Sequence, residues 1–483
     1  MNRRQFLAAA AAPAVRAAAT GKRFVGITVM PEYIQSEGVD GVLRNLQRAR
    51  ATAVATSPYV MAPSDASNAQ REPPIDAGAG SVRLLDRALW GKRELRVTTA
   101  PSFTPDKSLY QGIRFQPAPP GELTRTQGHL VGQFLRAARA AGLKVYLQVQ
   151  AAIPPGYRVQ FGGPDPDTRP RLPDGRIPPR SVSNNASLAS TDVRRYGEAL
   201  IRDLCGQYPD IHGIRVDWPE YPPYLLDDCF LDFSDPARQA AGRLGFAFDR
   251  MRQDAGEAYA YLHGRLTDSD LAGVADGDGG LYTLLHTLTA RSGLLELARF
   301  KAALVNELLA GFRQACGDRE LMPNAFPPPF TIASGMDFSL AARHSAAISV
   351  KLYTMHWPMM VRFYGDALRE ANPRVSETPL VKALVRLMDI ADDGGFDRLS
   401  AYEYPGPDAP HPVGLRAQAR KIRQAQAAAG ATPVIALAHG YGPPADFRSR
   451  FRTAYEAAEG RVWVNRYGYL SDAKLGMIGE IVR

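Results

Sequence analysis

Short apolar runs alternate with longer amphipathic segments along the whole chain. The short runs are rich in Val, Ile and aromatic residues, which is typical of buried β-strands. The longer segments repeat apolar residues every three or four positions, as amphipathic helices do. The predicted strands are 23–29, 51–60, 144–151, 211–218, 320–326, 346–353, 433–440 and 461–468. The predicted helices are 40–50, 129–142, 190–208, 294–316, 379–392, 414–430 and 445–460.

This alternation predicts an α/β fold of parallel strand–helix–strand units, because consecutive parallel strands need a crossover helix. Eight such strands in 483 residues favour a closed (β/α)8 TIM barrel over an open sheet. A ninth candidate at 398–406 runs into a proline-rich stretch. Because proline cannot donate to a β-ladder, we interpret that segment as an extended loop.

Three long insertions interrupt the alternation, at about 61–128, 154–189 and 227–293. Each insertion follows a predicted strand, so in a barrel all three lie on the C-terminal face of the strands. Trp90 and Gly91, between alternating segments of the first insertion, predict a β-hairpin. We therefore expect one TIM-barrel domain over 20–483, with long loops around its functional face.

The first 19 residues have the pattern of a twin-arginine export signal. Arg3 and Arg4 precede a short alanine-rich stretch that ends, at Ala17 to Ala19, in the small residues of a cleavage site. The alternative is a basic start to an ordinary helix. We favour the signal, because the stretch is too short to span a bilayer. A signal over 1–19 predicts a mature protein that lies in the periplasm or outside the cell.

Charge and hydropathy argue against two classes of binding partner, nucleic acids and membranes. The net charge is +9, and the predicted signal accounts for three of these charges, at Arg3, Arg4 and Arg16. The remaining basic residues are scattered and form no Lys/Arg block interleaved with aromatic residues, so we expect no nucleic-acid partner. No second apolar run reaches the about 18 residues of a membrane span. We expect a monomer that does not insert into a membrane after signal cleavage.

The three cysteines lack the C-x-x-C spacing of zinc or redox sites. Cys205 and Cys316 fall within helical patterns, where a small buried side chain is the simplest interpretation. A disulfide that involves Cys229 stays open.

The most informative stretch is RVDWPEYPPY, which begins at Arg215 and follows the apolar run of the fourth strand. Strand alternation directs Arg215 and Asp217 into the barrel and turns Ile214 and Val216 towards the surrounding helices. The strand then ends and leaves Glu220 on the rim. Alternatively, Arg215 and Asp217 form an internal ion pair that serves structure alone.

Two carboxylates can cleave a glycosidic bond, since one protonates the leaving oxygen while the other attacks the sugar or activates water. Glu220 is the preferred proton donor, and repulsion from a nearby Asp217 would keep one of the pair protonated. The candidate partners are Glu32, at the exit of the first strand, and Glu403, in SAYEYPGP. This chemistry needs neither a metal nor a cofactor, and we expect none.

Polar and aromatic residues also gather at the other strand ends, whereas the strand starts carry little that could catalyse a reaction. In TIM barrels the active site lies at the carboxyl ends of the strands, and aromatic rings there can stack on sugars. The candidate substrate-binding residues are Asn184, Arg215, Trp218, Tyr221, Lys351, Tyr353, His356, Trp357, His439, Tyr441, Arg466 and Tyr467.

The stretch NNASLASTDVRRYGEALIRDLCGQYPDIHGIRVDWPEYP resembles glycosidase-like (β/α)8-barrel proteins. In that group, an Asn-bearing loop leads through a helix to a strand that reads DG-apolar-apolar-D-x-x-x-Y-P. Here Asp217, Tyr221 and Pro222 match, and His212-Gly213 stands where the pattern has Asp-Gly. The closing RVWVNRYGYLSDAKLGMIGEIV is similar to the last strand and helix of such proteins. The resemblance implies the barrel fold and hydrolysis of a carbohydrate.

The sequence therefore predicts an exported glycoside hydrolase that acts on a poly- or oligosaccharide by carboxylate acid/base catalysis. Two other functions stay open. A non-catalytic carbohydrate-binding TIM barrel would use the same acids to position sugar hydroxyls without turnover. A metal-dependent sugar isomerase or epimerase would need a ligand cluster at the strand ends. The residues that could furnish one are His356, His439, Asp217, Glu32 and Glu403.

Overall fold

Eight parallel strands follow one another around a closed barrel. The computed structural model describes residues 23–64, 70–71, 83–153, 166–182, 185–276, 280–393 and 395–483. Strand β8 pairs in parallel with β1 and closes the cylinder. All eight predicted strands and the TIM-barrel fold are confirmed. The strands are β1 (Phe24–Thr28), β2 (Ala53–Thr56), β3 (Lys144–Gln150), β4 (Gly213–Asp217), β5 (Glu320–Ala325), β6 (Ile348–Leu352), β7 (Val434–His439) and β8 (Arg461–Asn465).

The seven predicted helices are all present, and the structure adds others. The first predicted helix is the second half of a longer one, Pro31–Arg48, which Gly38 interrupts with a left-handed φ of 73°. The helices on the described part of the chain are Pro31–Arg48, Glu122–Gln127, His129–Ala140, Thr191–Gln207, Asp235–Leu244, Phe248–Leu262, Asp268–Ala275, Gly280–Ala290, Ser292–Ala315, Phe330–Ser334, Phe338–Ala341, His356–Ala371, Glu377–Met388, Leu415–Ala429, Pro444–Ala457 and Asp472–Ile481.

The insertions leave the carboxyl ends of β2, β3 and β4, as predicted. The first insertion forms a three-stranded antiparallel sheet with the end of the 51–60 segment, and its strands are Tyr59–Pro63, Gln70–Arg71 and Arg96–Pro101. The predicted hairpin turn is present, because Trp90 and Gly91 both have positive φ, 49° and 79°, as a type I′ turn requires. The segment 398–406 holds only the 3₁₀ turn Leu399–Ala401, which confirms the loop interpretation.

Large side chains fill the interior of the barrel. Trp463 and Tyr146 meet edge to face, with ring centroids 5.6 Å apart. They have room because three inward positions on β1 and β2 are small: Gly26, Ala53 and Ala55. A Cβ atom at Gly26 would lie 2.1 Å from Cε3 of Trp463, so only glycine fits there. The barrel is therefore a packed core below its mouth, as is usual for this fold.

The predicted orientation of β4 is confirmed. Ile214 and Val216 are fully buried in the outer core that joins the strands to the helices. Arg215 points the other way, and its guanidinium carbon lies 3.9 Å from the ring centre of Trp463 inside the barrel.

All three cysteines are free thiols, so the disulfide left open for Cys229 is not formed. The Cys229 sulfur lies 3.0 Å from the hydroxyl of Tyr364. Within the described ranges, no helix is both long enough and apolar enough to cross a membrane.

We expect Gly26→Ala to destabilise the barrel by about 1–3 kcal/mol, because the new methyl group would overpack against the indole of Trp463. The midpoint of urea unfolding measures this loss. Gly206→Ala is the matched control. Gly206 lies in the last turn of helix Thr191–Gln207 with no atom within 4 Å of the added Cβ, so this change should leave the midpoint equal or higher. Equal midpoints for both variants would contradict the packing account.

Candidate active site at the barrel mouth

Polar side chains replace the apolar ones at the carboxyl ends of the strands. Strand register places Asp217 between Gln150 on β3 and Asn324 on β5. Side chains alternate along a strand, so residues two or four positions after an interior core residue also point into the barrel. This inward polar layer consists of Thr28, Gln150, Asp217, Asn324, Lys351, His439 and Asn465.

Arg215 lies at the base of the polar layer and is fully buried. Its guanidinium donates hydrogen bonds of 2.9 Å to Thr28 Oγ1 and to Asn324 Oδ1. Burial lowers the pKa of Arg215 to about 10, while the nearby charge of Asp217 opposes the shift. The side chain therefore stays charged at neutral pH. Arg215 and Asp217 do not form the internal ion pair that was the alternative interpretation, because Asp217 pairs with Lys351.

Asp217 is the carboxylate that reaches the mouth. Its Oδ1 lies 3.0 Å from Lys351 Nζ and accepts the backbone N–H of Trp218 at 3.2 Å. The Asp217 side chain is 10% exposed, whereas the side chain of Lys351 is 1% exposed. The ammonium group also lies over the ring of Phe326, 4.8 Å from its centre. The buried ammonium group of Lys351 thus fixes the position of the Asp217 carboxylate at the edge of the mouth.

Glu220 does not lie on the rim, contrary to the prediction. Its Oε1 accepts the backbone N–H of Phe326 at 2.7 Å, and its Oε2 accepts the hydroxyl of Ser334 at 2.6 Å. The side chain is fully buried, and Lys351 Nζ lies 3.9 Å from Oε1. The reason is the backbone of Trp218, whose left-handed φ of 55° turns the chain back under the loop that follows β5. Glu220 therefore supports the mouth from behind.

Burial raises the pKa of Glu220 to about 7, although Lys351 and the two hydrogen bonds oppose the shift. Asp217 adds a smaller upward contribution through charge repulsion. The sequence argument anticipated a raised carboxyl pKa from repulsion between the two acids, but desolvation is the main cause.

A cluster of tyrosines and histidines surrounds the mouth. Arg83 donates to Nε2 of His356 at 3.2 Å, and Nδ1 of His356 lies 3.0 Å from the hydroxyl of Tyr224. Arginine can only donate a hydrogen bond, so Nε2 of His356 carries no proton and accepts. The ring proton lies on Nδ1, which donates to the hydroxyl of Tyr224. Burial and the charges of Arg83 and Lys351 lower the pKa of His356, which agrees with the neutral form. Edge-to-face and tilted ring contacts continue the cluster through Tyr353, Tyr404, His439, Tyr441 and Tyr469.

Several predicted substrate-binding residues do join this cluster. The ring of Trp218 lies 5.8 Å from that of Tyr224 and 5.4 Å from Lys351 Nζ. The hydroxyl of Tyr353 accepts the amide of Asn465 at 2.7 Å. Arg466 is half-buried. Burial is the main cause of the pKa shifts of Tyr353 and His439, and the charge of Arg466 lowers both pKa values.

Three predicted substrate-binding residues face away from the mouth. Tyr221 donates to Asp232 at 3.1 Å beneath the loops, and Trp357 packs 5.2 Å from Lys421 Nζ among the outer helices. The hydroxyl of Tyr467 donates to Glu37 on the first helix. Trp357 and Tyr467 lie in a helix and a 3₁₀ turn that begin soon after their strands, whereas Tyr221 lies in the loop between β4 and the 3₁₀ turn Leu226–Phe230.

The other two candidate acids lie in different surroundings. Glu32 is buried in the first turn of the helix that follows β1. Glu403 is 68% exposed and lies 3.8 Å from Arg362 on an outer helix. The structure therefore does not bring Glu403 into the inward layer. Asn184 lies outside the described residues.

Sequence reasoning missed Arg83, Tyr224, Gln150 and Asn324. Asn324 and Gln150 carried a usable signal, since alternation from the apolar interior places them inwards at their strand ends. Arg83 carried none, because it comes from the first insertion. Within the described ranges, no group of three or more His, Cys, Asp and Glu residues has a geometry that could hold a metal ion.

No protein-family model matches this chain, and no curated protein matches its sequence. Among solved structures, a β-galactosidase from Marinomonas ef1 matches 92% of this chain and 54% of its own, with 12% identity and a TM-score of 0.47. An α-L-fucosidase from Paenibacillus thiaminolyticus matches 95% of this chain and 49% of its own, with 9% identity and a TM-score of 0.44. This chain thus spans about half the length of those two proteins.

A class V chitinase from Pseudomonas fluorescens Pf-5 matches over 96% of this chain and 100% of its own, with 9% identity and a TM-score of 0.41. Overlaps of this extent carry no argument about activity. The barrel fold stands on its own strand pairing, and a functional proposal has to rest on the residues of the mouth.

The raised pKa of Glu220 predicts a specific pH dependence of stability. Between the unfolded pKa of 4.5 and the folded pKa of about 7, the folded state holds a proton that the unfolded state has lost. Stability from this group is complete below the lower value and declines as pH rises through the upper one. Glu220→Gln mimics the protonated form, so its unfolding free energy relative to wild type should rise by roughly 3 kcal/mol from about pH 4 to pH 9. Urea unfolding over that range measures it, and a constant difference would refute the assignment.

Proposed function

We propose that this chain is an exported glycoside hydrolase that cleaves poly- or oligosaccharides at the barrel mouth, with Asp217 as its catalytic carboxylate. The observation that carries the proposal is the position of Asp217. Its carboxylate, with the side chain 10% exposed, is held by Lys351 inside a layer of amide, hydroxyl and imidazole groups. Such a layer can bind several sugar hydroxyls while the carboxylate faces the reacting carbon.

The chemistry assigned to Asp217 is that of the anionic partner in glycoside cleavage. It either attacks the sugar or activates a water molecule, and its charge stabilises the oxocarbenium-like transition state. Glu32 is the proposed proton donor, since it follows β1 at the same face of the barrel and is almost fully buried. Glu220 acts indirectly, as a positioning residue for Lys351 and for the Phe326 backbone.

The aromatic groups around the mouth suit a saccharide substrate. Sugar rings present apolar C–H faces and hydroxyl edges, which match tyrosine and tryptophan rings and their polar ends. Trp218 and Tyr353 supply such groups beside Asp217, and Asn324 and Gln150 flank it on the adjacent strands.

A carbohydrate-binding barrel without turnover is the second candidate, and one observation favours it. Lys351 neutralises Asp217 at 3.0 Å, and two other candidate acids that follow barrel strands, Glu220 and Glu32, are almost fully buried. A site whose acids are already engaged can hold sugar hydroxyls without breaking a bond.

Hydrolysis of a panel of plant, fungal and bacterial polysaccharides by the mature protein tests the proposal. We expect Asp217→Asn to lower the rate by about 10²- to 10⁴-fold on the best substrate, because the amide cannot act as base or nucleophile. Glu32→Gln should cause a loss of similar size, since it removes the proton donor. Glu480→Gln, which changes an exposed carboxylate on the last helix, is the control and should retain the rate.

Three other outcomes would contradict the proposal, each in a different way. Loss of hydrolysis in EDTA would indicate a metal-dependent site in place of the metal-free carboxylate mechanism. Full activity of Asp217→Asn would refute its catalytic role. Glycan binding without hydrolysis anywhere in the panel would favour the non-catalytic barrel.

Export by the twin-arginine route is part of the proposal, and residues 1–22 lie outside the described residues. Fusion of residues 1–22 to a reporter that folds before transport tests it. We expect the reporter in the periplasm, and we expect it to stay in the cytoplasm when Arg3 and Arg4 are both changed to Lys, because the transport machinery reads the arginine pair. A reporter exported equally well by both fusions would contradict this route.

A further inference from the structure

His439 ends β7 with an imidazole that is fully buried yet incompletely bonded. Its Nδ1 accepts the backbone N–H of Tyr441 at 3.1 Å, so the ring proton resides on Nε2. That Nε2 has no hydrogen-bond partner within the described part of the chain. A buried polar group of this kind is rare in folded proteins unless a ligand or water completes it.

The turn around His439 is rigid, so the direction of Nε2 is fixed. Arg450 donates to the backbone oxygens of His439 and Tyr441, at 3.2 Å and 2.7 Å, and pairs with Asp446 at 2.7 Å. The imidazole is inward by strand alternation and lies against two rings, those of Tyr353 and Tyr469, each with its centre 5.1 Å away. The unpaired N–H therefore belongs to the mouth.

Tyr353 offers a second donor beside it. Its hydroxyl oxygen accepts the amide of Asn465 at 2.7 Å, which leaves its own proton to donate elsewhere. Burial raises the pKa of Tyr353, and the charge of Asp217 raises it further, so the phenol keeps that proton. On the other side of Asp217, the side-chain oxygen of Gln150 is buried without a partner on the described residues.

We infer that His439 and Tyr353 form a subsite that binds a hydroxyl oxygen of a neutral sugar ring through two uncharged donors. A hydroxyl both accepts and donates, so the same ring can accept from these donors and give its own protons to Asp217 and Gln150. A neutral ring is favoured over an acidic one because both donors are uncharged and the buried Lys351 is already paired with Asp217. This inference rests on the proposed function, since it names the substrate class of the same mouth.

Two variants of one residue isolate the hydrogen bond. His439→Gln and His439→Leu both remove Nδ1 and so disturb the Tyr441 N–H equally, but only glutamine can present an N–H near the position of Nε2. The probes are neutral cello-, xylo-, manno-, galacto- and chito-oligosaccharides, with oligogalacturonate as the acidic comparison. On the substrate that wild type prefers, we expect His439→Leu to lose about 10- to 100-fold in kcat/KM, or in affinity if turnover is absent. We expect His439→Gln to recover most of that loss.

Monodeoxy derivatives of that oligosaccharide identify the hydroxyl. One deoxygenation should weaken wild type and His439→Gln and have little further effect on His439→Leu, as a thermodynamic cycle requires for a direct contact. If His439→Leu fails to fold, Tyr353→Phe removes only the second donor and should weaken the response to the same or the neighbouring hydroxyl.

The outcomes separate this subsite from the function on which it rests. A wild-type protein that neither binds nor cleaves any glycan overturns the proposed function and the subsite together. Normal activity with identical deoxy effects in wild type, His439→Leu and Tyr353→Phe overturns the subsite alone. A preference for oligogalacturonate that survives His439→Leu would overturn the choice of a neutral sugar.

Discussion

The guanidinium of Arg215 lies where the apolar interior of the barrel meets its polar mouth. A charge that is fully buried costs much free energy unless hydrogen bonds and opposite charges compensate it. Here Thr28 and Asn324 accept its protons, the Trp463 ring covers one face, and Asp217 supplies a nearby negative charge. The contacts come from β1, β4, β5 and β8, and closure of the barrel brings the pair β1 and β8 opposite the pair β4 and β5. Closure of the barrel and assembly of the mouth are thus one event, because the charge is compensated only when all four strands are in place.

The fold was predictable because its signals are local. A strand of five residues can be recognised from its own residues, and eight such strands found along the chain predict an eight-stranded barrel. The prediction weakened where two signals overlapped. His356–Ala371 was missed because its first residues directly follow β6 and read as the strand's exit. Only the second half of the helix Pro31–Arg48 was predicted, because Gly38 interrupts its amphipathic pattern with a left-handed backbone conformation.

The site was predictable only as far as alternation reaches. Alternation correctly directs Arg215 and Asp217 inwards, since both lie within β4. It fails one residue later, because the left-handed backbone of Trp218 redirects the chain and buries Glu220 under the loop after β5. Arg83 shows the other limit. It contacts His356, which is 273 positions away, and no local pattern encodes a partner at that separation. Strand ends therefore identify which residues can meet, while loop conformation decides which of them face a ligand.

The packing of Trp463 against Gly26 makes the mouth a well with a closed floor. Anything that enters has to leave through the same opening, and water displaced by an incoming molecule has to pass it there. Traffic through the site is therefore governed by the loops around the opening, which include Arg83 of the first insertion and the segments that follow β6, β7 and β8. Those loops can diverge in sequence without disturbing the floor, because the side chains that seal the barrel come from the strands. Ligand exchange therefore depends on the loops, whereas the stability of the barrel depends on the strands.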